Sequence, residues 1–224
     1  EIACEAGPKN NKIVFSTNDQ QKSFCNKYIP VLRKSLRKAN DEELNKIALD
    51  LCGYAALQVM NCPLDLFVED KIYNEHPELR PLQYLSLLRM EKENIESSQQ
   101  TDQIMALPKD LVSNNKVMNM VTALHFQKLF GIDTFSEFHA SKHERDKARL
   151  LYDIYNEYCE NHETGEEFDL MLDFADEIGF TEYFTLMPEE DFVYTQNLVN
   201  NVTGDTPKSD EQIERDRYSN LTQY

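Results

Sequence analysis

The sequence predicts an all-α protein, a single multi-helix bundle with orthogonal or irregular packing. Apolar residues recur at steps of three and four along most of the chain, which is the spacing of one helix face. The 224 residues include only 6 Gly and 8 Pro, whereas many-stranded proteins need frequent turn residues. At most one short strand is expected, near residues 12–15, where the chain reads Lys12-Ile-Val-Phe15.

Two helices are predicted in the first 62 residues. The first follows N-cap candidates at positions 16–18 and runs to about Lys38, and Pro30 inside it predicts a kink or a break. The second begins at Asn40–Asp41, and Cys62–Pro63 is expected to end it.

The later helices are separated by Pro, Gly and polar residues, with Gly131 and Gly179 in positions that suit a left-handed C-terminal residue. Residues 1–11 are predicted to be a flexible arm, 12–200 the helical domain with a candidate internal boundary at 97–102, and 201–224 a loose polar tail. The predicted helices are at about 64–74, 82–97, 113–130, 141–160, 165–178, 181–186 and 189–199.

The negative charge is concentrated in the second half of the chain. The formal net charge is −17, of which residues 1–112 carry −3 and residues 113–224 carry −14. No Lys or Arg occurs from Leu150 to Pro207. Because phosphate and anionic lipid surfaces are bound by clustered cations, we expect neither direct nucleic-acid binding nor membrane binding.

The cysteine content favours a reducing compartment. The chain has five cysteines, an odd number, and no Cys-x-x-Cys motif. Cys25, Cys52 and Cys159 fall at apolar helical positions. No apolar run of about 18 residues suggests a membrane span. The cytoplasm is therefore the favoured location, although the start at Glu1 rather than Met leaves a removed signal peptide open.

One predicted helix carries a dense acidic face. Its inward side is predicted to contain Phe168, Met171, Leu172, Ala175 and Ile178. Like charges three and four residues apart oppose a helix, and a basic partner would relieve that repulsion. A solvated face kept acidic for solubility is the alternative. The candidate partner-binding residues are Glu166, Glu167, Asp169, Asp173, Asp176 and Glu177.

Two pairs of residues are weak candidates for metal ligands. His139 and His143 are four apart and would share a face if both were helical, but Ala140 stands where a His-Glu-x-x-His metalloprotease needs Glu. Asp65 and Glu69 have the same spacing, and solvated or ion-paired carboxylates explain it equally well.

The turn between two predicted helices supplies a third candidate, His76. Pro77 and Pro81 flank this turn, which either presents His76 and Arg80 to a ligand or joins two packed helices at a fixed angle. Because the chain has no nucleophile elbow and no glycine-rich phosphate loop, no cofactor and no catalytic residue is assigned.

A segment at Asn61–Leu87, which reads NCPLDLFVEDKIYNEHPELRPLQYLSL, resembles part of a group of uncharacterised helical bacterial proteins. Phe126–Phe138, with Leu-Phe-Gly-Ile-Asp at 129–133, is similar to the same group. In such proteins the first segment can resemble the helix that follows a zinc-peptidase His-Glu-x-x-His helix. The preceding residues here, Ile47–Val59, contain no histidine, so the resemblance implies no metallopeptidase activity.

These observations predict a soluble, non-catalytic protein-interaction domain that presents its acidic face to a basic partner. A metal-dependent hydrolase, or a degenerate metallopeptidase-like relative, is the first alternative. A nucleic-acid mimic is the second, and it differs only in the identity of the partner.

Overall fold

The computed structural model describes residues 13–17, 20–99, 106–161 and 167–188. They form six α-helices and a two-stranded ribbon, which confirms the predicted all-α class. The arm at 1–11, the helix predicted at 189–199 and the tail at 201–224 lie outside the described residues. The helices are α1 (Gln21–Ser35), α2 (Asp41–Glu75), α3 (Arg80–Gln99), α4 (Lys109–Phe130), α5 (Lys142–Asn161) and α6 (Glu167–Glu177), and the strands are β1 (Ile13–Ser16) and β2 (Thr185–Pro188).

The ribbon joins the two ends of the described chain. β1 overlaps the strand predicted at 12–15 in three residues and pairs antiparallel with β2, with Ile13 opposite Pro188 and Ser16 opposite Thr185. β2 is an additional strand, and the helix predicted at 181–186 is wrong, since only a 3-10 turn forms at Thr181–Tyr183. The hydrogen bonds that hold β2 come from a segment about 170 residues earlier, so local sequence spacing does not reveal them.

α2 runs through Pro63, so the predicted end at Cys62–Pro63 is wrong. A proline inside a helix costs about 3 kcal/mol because it removes a hydrogen bond and crowds the preceding turn. Cys62, Pro63 and Leu66 are all buried, and full burial of a leucine-sized side chain contributes roughly 1.5–3 kcal/mol. Packing on both sides of the proline therefore offsets its cost. α1 likewise continues through Pro30.

The ends of several helices follow the predicted signals. The Asn40 side chain accepts a hydrogen bond from the Glu43 N–H, and the Glu43 carboxylate accepts one from the Asn40 N–H, both at 2.9 Å. Gly131 and Gly179 end α4 and α6 with φ angles of 73° and 67°. By contrast, α1 begins after Gln20, whose side chain makes no cap hydrogen bond.

α2 and α4 form the centre of the bundle. α2 packs against α1, α4 and α6, and α4 packs against α2, α3 and α5. A separate small cluster of Leu87, Phe126 and Leu129 joins α3 to α4. The main core is rich in fully buried aromatic rings, among them Phe24, Phe138, Tyr155, Phe174, Phe180 and Tyr183.

α2 is also the one described helix whose length and composition would suffice to cross a membrane. An 18-residue window of it has a mean hydropathy of 1.3, and 33% of that window is buried. The expectation that no such run exists is therefore corrected. A central helix of a helical bundle meets the same criteria. α2 buries side chains between Leu44 and Leu66 and packs against four other helices.

Candidate functional site

The buried side of α6 overlaps the predicted one, since Met171, Ala175 and Ile178 are buried as expected. Leu170, Met171, Phe174 and Ala175 are buried, whereas Leu172 keeps 39% of its surface exposed. The assignment of Leu172 to the core is therefore wrong. Apolar residues cover so wide an arc of this 11-residue helix that two orientations fit the sequence, and contacts with α2 and α5 select one of them.

The outward side of α6 carries an acidic stripe, which we define as Asp169, Leu172, Asp173 and Asp176. All four residues are exposed, and their spacing places them on one helix face. The three carboxylates make no ion pair with any residue that the structure describes. Of the other predicted partner-binding residues, Glu167 and Glu177 are half-buried, and Glu166 lies outside the described residues.

The cation nearest to the end of α6 binds the backbone rather than the stripe. Lys147 Nζ donates to the Glu177 carbonyl at 2.5 Å, and Asn114 Nδ2 donates to the Ile178 carbonyl at 2.8 Å. A positive charge at this position stabilises the negative end of the helix dipole. The Lys147 charge therefore caps the C-terminus of α6 and leaves the stripe carboxylates without a described counter-ion.

The histidine pair does not share a helix face. His139 precedes α5, and its carbonyl accepts a hydrogen bond from Lys116 Nζ at 2.9 Å, whereas His143 is exposed in the first turn of α5. Glu144 next to it caps the helix start, since its carboxylate accepts from the Ser141 N–H at 2.6 Å. The polar residues before α5 thus start a helix.

His76 and Arg80 have structural positions in the turn between α2 and α3. Arg80 Nε donates to the Tyr73 carbonyl at 2.7 Å, and the guanidinium lies 4.3 Å from the centre of the Tyr73 ring. His76 Nδ1 lies 3.5 Å from a Glu78 carboxylate oxygen on the surface. Within the described ranges, no three His, Cys, Asp or Glu side chains are grouped so that they could hold a metal ion.

Asp65 and Glu69 reach a cleft that the sequence does not reveal. We call this the α3 cleft; it lies between α2, α3 and α4 and has a volume of about 510 Å³. Glu69 is held there by Gln83 Nε2, which donates to its carboxylate at 2.5 Å and to its carbonyl at 2.9 Å. Burial and the neighbouring Glu69 carboxylate raise the pKa of Asp65.

Glu91 is the most deeply buried carboxylate of the α3 cleft. Its residue surface is 1% exposed, and Thr122 Oγ1 donates to Oε1 at 2.9 Å. Its Oε2 atom is closed off from solvent and makes no well-aligned hydrogen bond within the described residues, although the Thr134 hydroxyl is close enough to act on the carboxylate. Burial raises the pKa of Glu91 to about 7, against the lowering effect of the Thr122 and Thr134 hydroxyls.

His125 lines the same cleft from α4 and is 2% exposed. Its Nδ1 lies 3.4 Å from the Tyr152 hydroxyl, and its Nε2 lies 3.8 Å from Asp70 Oδ1. Burial lowers the pKa of His125 to about 4, so the imidazole is neutral at pH 7. Asp70 is already bound by the Tyr155 hydroxyl at 2.6 Å and by Lys128 Nζ at 3.1 Å.

Neither Glu91 nor His125 is among the site residues predicted from the sequence, although α3 contains a signal for Glu91. The buried residues of α3 are Gln83, Leu87, Glu91 and Ile95, spaced four apart. A charged residue between two apolar ones at that spacing indicates a buried acid. His125 lies beside the apolar stripe of α4. At this position the spacing alone does not distinguish a buried histidine from an exposed one.

Comparisons of the chain with protein-family models, with curated proteins and with solved structures give no match. The features that bear on function are therefore the acidic stripe and the α3 cleft.

Proposed function

We propose that this protein is a non-catalytic helical interaction domain whose acidic stripe receives the basic surface of a protein partner. One observation supports the proposal above the others. The stripe carboxylates of Asp169, Asp173 and Asp176 are exposed on one helix face, and no described cation neutralises them.

The arrangement of charges favours a partner over solvent. Asp173 lies four residues after Asp169 and three before Asp176, and each like-charge pair at these spacings opposes the helix by roughly 0.2–0.5 kcal/mol. Basic side chains placed against the stripe would remove this repulsion. The net charge of −17 would also accelerate the encounter with a basic protein at low salt.

Leu172 gives the stripe an apolar contact at its centre. The side chain is 39% exposed and lies on the same helix face as the three carboxylates. A buried apolar contact surrounded by charged residues is the usual composition of a protein–protein interface. A partner surface of Lys or Arg around one apolar side chain would complement it.

Charge reversal with a matched control tests this function. The stripe variant combines Asp169→Lys, Asp173→Lys and Asp176→Lys. The control combines Asp50→Lys, Glu75→Lys and Glu96→Lys, which are exposed carboxylates on α2 and α3. Each triple variant removes three negative charges and adds three positive ones, which changes the formal net charge from −17 to −11.

The measurement is capture of basic proteins from a cell lysate by the immobilised wild-type chain and both variants, at low and at high salt. We expect the wild type and the control to retain the same proteins at low salt and the stripe variant to lose them. Equal capture by all three proteins, or equal loss in both variants, would contradict a role for the stripe, because bulk charge would then explain the result.

A further inference from the structure

We propose that a second cavity, between α2 and α4, is a binding site for a compact uncharged amide carried on an apolar ring. This cavity, which we call the α2–α4 cavity, contains none of the residues of the acidic stripe. The wall that it shares with the α3 cleft consists of Tyr54, Gln58, Met118 and Asn119. The inference is therefore independent of the proposed function.

The α2–α4 cavity has a buried apolar floor. Met118 and Phe180 are 1% and 2% exposed, and Ile178 is also buried. Leu51 from α2 and Leu111 from α4 extend the apolar lining. Mostly apolar walls with a few polar groups are typical of small-molecule sites, so this floor suits the hydrocarbon or aromatic part of a ligand.

Three carboxamides and one hydroxyl form a polar wall beside this floor. The Tyr54 hydroxyl donates to Asn115 Oδ1 at 3.3 Å, and Gln58 Nε2 lies 3.5 Å from both the Tyr54 hydroxyl and Asn119 Oδ1. Hydrogen bonds in proteins are usually about 2.7–3.2 Å long, so these groups satisfy one another only weakly. The carbonyl and N–H groups of an amide match the donors and acceptors of carboxamide side chains.

The charges around the cavity favour an uncharged ligand. Lys116 is the one Lys, Arg, Asp or Glu among the described lining residues. Its Nζ lies 3.4 Å from Glu144 Oε1 and donates to the His139 carbonyl at 2.9 Å, so its charge is already paired. A charged ligand would therefore leave water without gaining an opposite charge, which is unfavourable.

The size of the cavity limits the ligand to about one ring with a short substituent. Its volume is about 250 Å³. An apolar cavity of about 150 Å³ holds benzene, whereas drug-sized ligands occupy sites of about 300–1,000 Å³. Tyr54 is 55% exposed, so the polar wall reaches the protein surface and gives a ligand a way in.

Phenylacetamide is a suitable probe, because it combines one aromatic ring with a primary amide. Phenylacetate and phenethylamine are its charged counterparts of similar shape, and ethylbenzene lacks the polar group. Binding is measured by amide chemical-shift changes of the ¹⁵N-labelled protein during titration. The two protein variants are Gln58→Leu, which removes a carboxamide from the polar wall, and Gln127→Leu, the same change at an exposed position of α4.

We expect phenylacetamide to shift the signals of Ala55, Asn115 and Phe180 and to leave those of Asn61 and Asn94, which line only the α3 cleft, unchanged. Phenylacetate and phenethylamine should bind about tenfold more weakly, because their charges find no partner in the cavity. Absence of phenylacetamide binding, shifts confined to the α3 cleft, or equal binding of a charged counterpart would overturn the proposal.

The two variants separate loss of a hydrogen bond from a general disturbance of the cavity. Gln58→Leu should weaken phenylacetamide binding about fivefold, because one hydrogen bond between neutral groups is lost, and Gln127→Leu should leave it unchanged. Ethylbenzene makes no hydrogen bond, so it should bind Gln58→Leu at least as tightly as the wild type. An unchanged affinity of Gln58→Leu for phenylacetamide, or an equal loss of affinity for both ligands, would refute the assignment of the polar wall to an amide.

Discussion

Replacing Glu91 by Gln should change how the stability of the protein depends on pH. The substitution keeps the shape of the side chain and its position beside Thr122, but removes the group that titrates. Burial raises the pKa of Glu91 from 4.5 to about 7 in the folded protein. Its contribution to stability is therefore fully present below pH 4.5 and is lost as the pH rises through about 7.

His125 has the opposite effect over almost the same pH range. Burial lowers its pKa from 6.5 to about 4, so its contribution is present above pH 6.5 and is lost as the pH falls through about 4. Each group changes the free energy of unfolding by about 1.4 kcal/mol per pH unit within its window, and by about 3 kcal/mol in total. In the wild type the two slopes largely cancel between pH 4.5 and 6.5.

The assay is urea unfolding, followed by circular dichroism, of the wild type, Glu91→Gln and the exposed control Glu96→Gln. The free energy of unfolding of Glu91→Gln should rise with pH from about 4 to 6.5, because the contribution of His125 is then no longer offset by that of Glu91. The difference between wild type and Glu91→Gln should fall by about 3 kcal/mol between pH 4.5 and 7. A difference that is constant with pH, or equal to that of Glu96→Gln, would refute the reasoning.

Four further substitutions test single elements of the fold. Asn40→Ala removes the side-chain cap of α2 and should lower the free energy of urea unfolding by about 1 kcal/mol; an unchanged midpoint would contradict the cap. Gly131→Ala places a Cβ at a φ of 73° and should cost about 1–2 kcal/mol in the same assay. Gly53→Ala, inside α2 with no atom within 4 Å of the added Cβ, should instead stabilise by up to about 1 kcal/mol, so equal effects of the two alanines would be inconsistent with the backbone argument. Tyr155→Phe removes the hydroxyl that donates to Asp70 and should lower the Tm by about 3–6 °C, since a hydrogen bond to a charged group contributes about 1.5 kcal/mol. A Tm equal to that of the wild type would show that Lys128 alone suffices to hold Asp70.

Local signals predicted helix starts and stops where the chain itself supplies the hydrogen bonds. The Asn40–Glu43 cap of α2 and the left-handed Gly131 after α4 are both complete within a few residues, so the sequence shows them. The long α5 is predicted at 141–160 and observed at Lys142–Asn161 for the same reason. Apolar spacing at helical pitch is a property of the segment alone.

Local sequence signals gave wrong predictions where contacts with residues distant in sequence opposed them. Pro63 breaks an isolated helix, but the buried neighbours of this proline keep α2 continuous to Glu75. The apolar arc of α6 admits two orientations, so apolar spacing wrongly predicts a buried Leu172. Cys159 is exposed although it falls at an apolar helical position. In each case the deciding energy comes from residues far away in sequence.

The sequence by itself determined the all-α class, the concentration of negative charge in the second half and the position of the acidic helix. Only the tertiary structure decided which carboxylates are exposed and which are buried. In the folded protein, Asp173 is exposed to solvent, whereas Glu91 is buried between α2, α3 and α4. The physical reason is that charge and helical spacing belong to the chain, whereas burial, and with it the pKa of a carboxylate, depends on the surfaces that other helices bring against it.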